Sequence, residues 1–324
     1  HGTYRENRWW WHSRGYTPAG VECWNCIRAL DYLETRPEVD AGRIAVTGRS
    51  GGGAYSFWLA AADDRVKVAV PVSGMSDLED YVKPPVINGH CDCMFLYNTY
   101  QWPWTRIANL VAPRPLLFAN SDSDRIFPMT GNERIIARLR RFYILLGHPD
   151  RVDAFVTPGP HKDVPPLRLA AFRWINRWLK GDDSPVAEPE TYPKIEGKDL
   201  RAFPGDLPKD EINTTIDQVF VARAEVAAPD SPDALGALRS KLLATLRETS
   251  FRAWPERGTA ETIELGAEPK AGTLATEPPI VTGYRYLPGK GRATATCWLI
   301  VLNEGESGER APDSPSLSTM SQQV

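Results

Sequence analysis

Histidine and cysteine are scarce in this chain. Each occurs five times in 324 residues, so chemistry that needs an imidazole or a thiol has few places to sit. Long apolar runs are missing. None approaches the roughly 20 residues that a membrane-spanning helix requires, so no membrane partner is expected. Neither sign of charge is in large excess. The net charge is −3 and the isoelectric point lies near 6.0, which gives no electrostatic reason to expect nucleic acid or an anionic lipid surface. No internal repeat is visible. The chain opens on His1 and shows no signal-peptide pattern. It reads as a fragment or a processed product, and its first residues name no compartment. A secreted or periplasmic setting for a longer protein is compatible with that.

The five cysteines are an odd number. Cys23 and Cys26 form a CxxC, and Cys91 and Cys93 form a CxC beside His90. A zinc or redox site is one reading of such spacing. The other is packing: Cys23, Ile27, Leu30 and Leu33 fall on one helical stripe that Cys26 borders, and buried thiols behave as small hydrophobes. The stripe is the better reading, so no metal site and no cofactor are expected.

What is present is an apolar fraction of 42%, enough for a real core, arranged as strands alternating with helices. Arg43–Thr47, Val66–Val72, Pro115–Ala119 and Val152–Thr157 read as strands. Val66–Val72 is a continuous apolar run of the kind found inside a parallel sheet. Gly20–Arg36, Gly51–Ala62, residues 130–146 and Pro165–Lys180 read as helices, with Pro37 stopping the first and Gly147 and Gly181 closing the last two. Residues 75–105 read as irregular. This alternation predicts a parallel sheet built from right-handed βαβ units. Residues 1–181 are then the hydrophobic, strand-rich part. Residues 182–210 carry Pro, Asp, Glu and Lys and read as a linker. Residues 211–302 suggest a small α+β region, with a helix at Asp233–Thr249 and short strands after it. Thr296–Leu302 is the most convincing of those strands, and it could open a second module. Residues 303–324 are Ser- and Pro-rich and read as a disordered tail.

Between the first strand and the second helix stands Gly48-Arg49-Ser50-Gly51-Gly52-Gly53. It satisfies G-x-S-x-G in the required strand–turn–helix context. A nucleophilic serine needs a sharp turn that projects its oxygen from the sheet, and side chains at Gly48 and Gly52 are expected to collide across that turn. The following helix offers free N–H groups and a partial positive charge where an oxyanion would form, with the Gly51 N–H as the natural first donor. A phosphate-binding loop is the rival reading, but it would favour G-x-G-x-x-G or a lysine after the glycines, and neither occurs. A lone serine needs a base and an orienting acid. In this fold class they follow in the order acid, then histidine, each in a loop after a later strand. Ser121-Asp122-Ser123-Asp124-Arg125-Ile126-Phe127-Pro128 follows the third strand, and Pro158-Gly159-Pro160-His161 follows the fourth. His161 is the candidate base, since His1, His12 and His90 precede the acid loop and His148 sits at a helix-ending turn. Asp122 and Asp124 compete as the acid. Asp124 is preferred because Ile-Phe-Pro follows it directly, and the other carboxylate would cap the loop.

GRSGGGAY, DSDRIFP and the GPH loop resemble α/β-hydrolases of the acetyl xylan esterase and cephalosporin deacetylase kind, with dienelactone hydrolases more distant. The resemblance runs from about Tyr16 to Gly181. It implies a mostly parallel sheet with flanking helices and a serine esterase that deacetylates carbohydrate through Ser50, His161 and Asp124 without a cofactor. It also implies about eight strands, of which four are legible, matching the half of the sheet from the serine strand onward. The strand and loop expected to supply a second oxyanion N–H are not among them. Losing one such donor costs about 10²–10³ in turnover, so the chain is expected to be a damaged enzyme or a piece of a longer one.

Arg49, His90 and Trp11 are candidate substrate-binding residues. Arg49 could meet a substrate oxygen or a carboxylate of the protein. His90 lies in a loop region that gathers near the sheet edge, with packing as its blander role. Trp11, like Trp9, Trp10, Trp102 and Trp104, could stack on a sugar or simply pack over the sheet. Two other functions compete: a serine peptidase of the prolyl-oligopeptidase type, which shares the motif order, and a non-catalytic hydrolase-like protein. A carbohydrate or small-molecule ester is the expected partner, and the oligomeric state is not legible.

Overall fold

The computed structural model describes residues 7, 8, 10–83, 86, 98, 100–188, 194–220 and 225–251, together with 261–262, 271–277 and 280–285. His90, Cys91, Cys93, Trp9, Thr296–Leu302 and the tail expected at 303–324 lie outside them. The chain divides into two compact units, His1–Arg252 and Ala253–Val324.

The first unit is organised by four parallel strands: β1 (Ile44–Arg49), β2 (Val66–Val72), β3 (Leu116–Ser121) and β4 (Val152–Thr157), in the order β1-β2-β3-β4. Between the strands run α3 (Gly51–Ala62), α4 (Leu78–Val82), α5 (Trp104–Asn109) and α6 (Met129–Leu145). Before and after them come α1 (Trp10–Ser13), α2 (Pro18–Glu34) and α7 (Pro165–Lys180). The sheet divides the core into two layers. Phe57, Met75, Leu116, Phe118, Ile135 and Leu139 fill one side, with α2, α3, α5 and α6. Val68, Val70, Val72, Leu117 and Ala119 face the other and meet Leu167, Ala171 and Trp174 of α7. β2 is apolar from Val68 to Val72 because both of its faces are covered there, and the run is interrupted only by the exposed Lys67. The same layering is also why α3 is apolar nearly all round. Phe57 and Ala60 are fully buried, and burying such a phenylalanine contributes about 1.5–3 kcal/mol.

The ends of these elements follow from local chemistry. α2 starts at Pro18, two residues before the expected Gly20, because Thr17 caps it: the Gly20 N–H donates to Thr17 Oγ1 at 3.0 Å. Gly181 closes α7 in the left-handed region, φ 66°. The guanidinium of Arg114 donates to Ala60 O at 2.6 Å and Val66 O at 2.7 Å, so a cation meets the carbonyl end of α3, where the helix dipole favours it. The two cysteines of the CxxC are free thiols packed against the core beside Ile27 and Leu33. Burial pushes both above their ordinary value, away from reactive thiolate.

Beyond α7 the described chain is largely exposed, with α8 (Ile216–Val219) and α9 (Pro232–Thr249) its helices. In the second unit, β5 (Glu261–Thr262), β6 (Ala271–Glu277) and β7 (Ile280–Arg285) form an antiparallel sheet of their own.

Candidate active site

Ser50 occupies the turn between β1 and α3 with φ 60° and ψ −122°. That conformation is costly for a residue with a side chain, of the order of 1–3 kcal/mol, and the surroundings enforce it. The Ser50 N–H donates to Val72 O at the end of β2, and Ser50 O accepts from the Ala54 N–H, both at 3.0 Å. A Cβ on Gly48 would lie 2.6 Å from the backbone carbon and oxygen of Gly52, so glycine is required there. A Cβ on Gly52 would meet nothing within 4 Å. The expected collision is thus one-sided: the backbone of Gly52 is the obstacle, not its missing side chain. Gly51 opens α3, where N–H groups have no partner inside the helix.

Asp124 sits in the loop after β3 with its side chain fully buried. Its Oδ1 accepts from the N–H groups of Ile126 at 2.8 Å and Phe127 at 2.9 Å. Its Oδ2 lies 2.7 Å from His161 Nδ1. A carboxylate with two backbone donors on one oxygen acts here as an acceptor, so Nδ1 carries the proton. In the neutral ring Nε2 is then the acceptor, and it receives the Ser50 hydroxyl at 3.0 Å. The His161 ring stacks on buried Phe127, centroids 5.6 Å apart and planes 29° off parallel.

Asp122 does something else. Its Oδ1 accepts from the Gly159 N–H at 2.9 Å and from the Ser123 hydroxyl at 2.9 Å. The Gly159 amide is the chief cause that holds this carboxyl below its ordinary range, with the Ser123 hydroxyl next. The Ser123 N–H donates to Gly159 O at 3.0 Å and the Asp122 N–H to Thr157 O at 3.0 Å. The acid loop and the histidine loop are therefore laced to each other by backbone and side chain, two residues from His161.

The remaining candidates are placed differently. Arg49 is exposed at the end of β1, next to Ser50. Trp11, on α1, packs against Trp10, 6.2 Å between centroids, and Tyr16, 6.0 Å. His90 lies outside the described residues. Phe127 was legible only as part of the acid-loop string. Asp80 carried no local signal; it is buried and bonded to the start of α6 across fifty residues of sequence. Among the described residues, no group of three His, Cys, Asp or Glu could hold a metal ion, and no helix is long and apolar enough to cross a membrane.

Residues 5–156 match the Prolyl oligopeptidase family. With the four-stranded parallel sheet, its flanking helices and the serine on a strand-to-helix turn, that decides the fold. This segment is of the α/β-hydrolase type. The α/β-hydrolase match ends just before His161. A Bacillus subtilis (strain 168) protein named "Putative hydrolase YtaP" is 29% identical over 161 residues, 49% of this chain and 54% of that protein. The chain thus spans about half the length of the curated relative it matches. Solved structures similar to it include a glucuronoyl esterase from Solibacter usitatus, 20% identical with a TM-score of 0.41, covering 48% of this chain and 47% of that one. Another is a carbohydrate esterase family 15 glucuronoyl esterase from Caldicellulosiruptor kristjansonii, 20% identical with a TM-score of 0.43, covering 56% and 55%. A third is Methylesterase BT1017, 25% identical with a TM-score of 0.44, covering 70% and 50%.

Proposed function

We propose that this chain carries the reacting residues of a serine-dependent carboxylic ester hydrolase, and that the ester is an acyl group on carbohydrate. The observation that carries the reading is the continuous line Asp124 Oδ2–His161–Ser50 Oγ, with steps of 2.7 and 3.0 Å. In it Ser50 attacks the acyl carbon while His161 Nε2 takes its proton. Asp124 fixes the tautomer and stabilises the imidazolium that forms. The Gly51 N–H, at the positive end of α3, receives charge on the carbonyl oxygen. His161 then gives that proton to the departing sugar oxygen, which leaves as a hydroxyl, and water releases the acid from the acyl-enzyme. The carbohydrate part rests on the motifs GRSGGGAY, DSDRIFP and GPH, which resemble those of acetyl xylan esterases.

The second reading is a serine peptidase, favoured by the match of residues 5–156 to the Prolyl oligopeptidase family. It uses the same three side chains on an amide. An aryl acetate, an acetylated xylo-oligosaccharide and a dipeptide anilide, offered to the same preparation, separate the two. Esterase turnover that exceeds anilide turnover, with Ser50 labelled by a fluorophosphonate, is the expected result. Ser50→Ala should abolish the labelling and lower ester turnover by up to about 10⁶. Ester cleavage that survives Ser50→Ala would refute the proposal, and a preference for the anilide would move it to the peptidase.

A further inference from the structure

Helix α6 begins directly after the acid loop, and its N-cap, Pro128, offers its first turn no side chain. The N–H groups of that turn have no acceptor inside the helix. Asp80, on α4, supplies one. Its Oδ2 accepts from the Gly131 N–H and the Thr130 hydroxyl, each at 2.5 Å, and its Oδ1 accepts from Arg134 Nη2 at 2.7 Å. The carboxylate belongs to a residue only 8% exposed, so its removal leaves the buried Gly131 N–H without this acceptor. The fit is close: a Cβ on Gly131 would stand 2.3 Å from Ser76 Oγ and 2.9 Å from Asp80 Oδ2. Tyr81, next to Asp80 and fully buried, meets Phe127 ring to ring at 6.4 Å and accepts from the Ser76 N–H at 3.0 Å. Phe127 carries one of the N–H groups that hold Asp124 and is the ring on which His161 lies. A contiguous set of contacts therefore runs from Asp80 through the first turn of α6 and Phe127 to Asp124 and His161.

The geometry points to Asp80 as a positioning residue of the triad: a helix cap supplied from a distant segment, which fixes the start of α6 and through it the acid loop. This rests on the reading of Ser50, His161 and Asp124 as a working triad. Asp80 touches neither the reacting atoms nor the place of an ester. Its removal frees the Gly131 and Thr130 donors and leaves Arg134 without one of its partners. The first turn shifts, and the hydrogen bond between Asp124 and His161 loosens. The loss falls on the activation of Ser50.

The test compares Asp80→Ala and the near-isosteric Asp80→Asn with Arg65→Ala, which cuts a separate ion cluster joining α2 to the end of α3 through Asp31, Glu34 and Asp63. Three readouts are taken: the rate at which a fluorophosphonate labels Ser50, the thermal midpoint, and the downfield proton resonance of His161 Nδ1, assigned with His161→Gln. Asp80→Ala should label at least tenfold more slowly and lose the resonance, with Asp80→Asn between it and the parent. Arg65→Ala should keep labelling within twofold, and keep the resonance, even where its midpoint falls as far. Asp80→Ala that labels and resonates like the parent overturns the inference, and so does an Arg65→Ala that loses as much. If Asp80→Ala does not fold, Asp80→Asn carries the same comparison. If the parent itself is never labelled, the hydrolase reading fails and the resonance decides alone. Its disappearance in the Asp80 variants then supports the positioning role, and its persistence, or its absence from the parent, rejects it.

Discussion

At the scale of single residues, the serine turn separates two glycines that look equivalent in the sequence. Gly48→Ala drives a methyl into the backbone of Gly52 at 2.6 Å, and overpacking of that kind costs about 1–3 kcal/mol. Gly52→Ala points into open space within the first turn of a helix, where alanine is favoured by roughly 0.5–1 kcal/mol. Urea midpoints should therefore fall for the first variant and hold or rise for the second. Equal losses would contradict the geometry. The string G-x-S-x-G made Ser50 legible, and order plus scarcity made His161 legible, since few imidazoles compete. Asp124 was preferred over Asp122 from the Ile-Phe-Pro that follows it; in the structure the N–H groups of Ile126 and Phe127 turn back onto its Oδ1 and its Oδ2 faces His161. The asymmetry of Gly48 and Gly52 was not legible, because it depends on which backbone atoms face each other across the turn.

At the scale of elements, α4 and α6 are joined by charge. Arg134 donates to Asp77 through Nε at 2.5 Å and Nη2 at 2.8 Å, and this guanidinium is the chief cause that holds the Asp77 carboxyl below its ordinary range. A carboxyl whose folded value is depressed adds stability above its unfolded value of about 3.9 and loses it as pH falls through the lower folded value. The pair is partly exposed, so screening reduces its worth. Arg134→Ala should cost roughly 1 kcal/mol at pH 7, and the gap from the parent should narrow as pH drops below the ordinary carboxylate range. Denaturant titrations at both pH values test this, and a gap unchanged by pH would reject it. α3, β2, β4 and α7 begin and end where periodicity and caps place them, because each is long or bounded by a clear signal. α4 and α5, at five and six residues, are too short to show a period, and residues 75–105 read as irregular. β1 runs to Arg49 rather than Thr47 because its pairing with β2 continues through Gly48 to Val72, an alignment no local preference reveals.

At the scale of the whole chain, the ordered hydrolase-type part gives way after α7 to residues that are exposed throughout 194–210. The reading of 182–210 as a linker is a proposal, and limited trypsin digestion tests it. Lys198, Arg201 and Lys209 should be cut before Arg65 or Arg114, whose guanidinia are bonded to several partners. The larger product should keep whatever fluorophosphonate labelling the parent has. Early cuts inside the sheet region would count against that division. The lacing of the two loops by Asp122, Ser123 and Gly159 has a consequence for any attempt to re-engineer this protein. The histidine segment and the acid segment are one exchangeable cassette: a graft that imports either without its mate brings a register made for a neighbour it no longer has, so homologous recombination should respect both borders or neither.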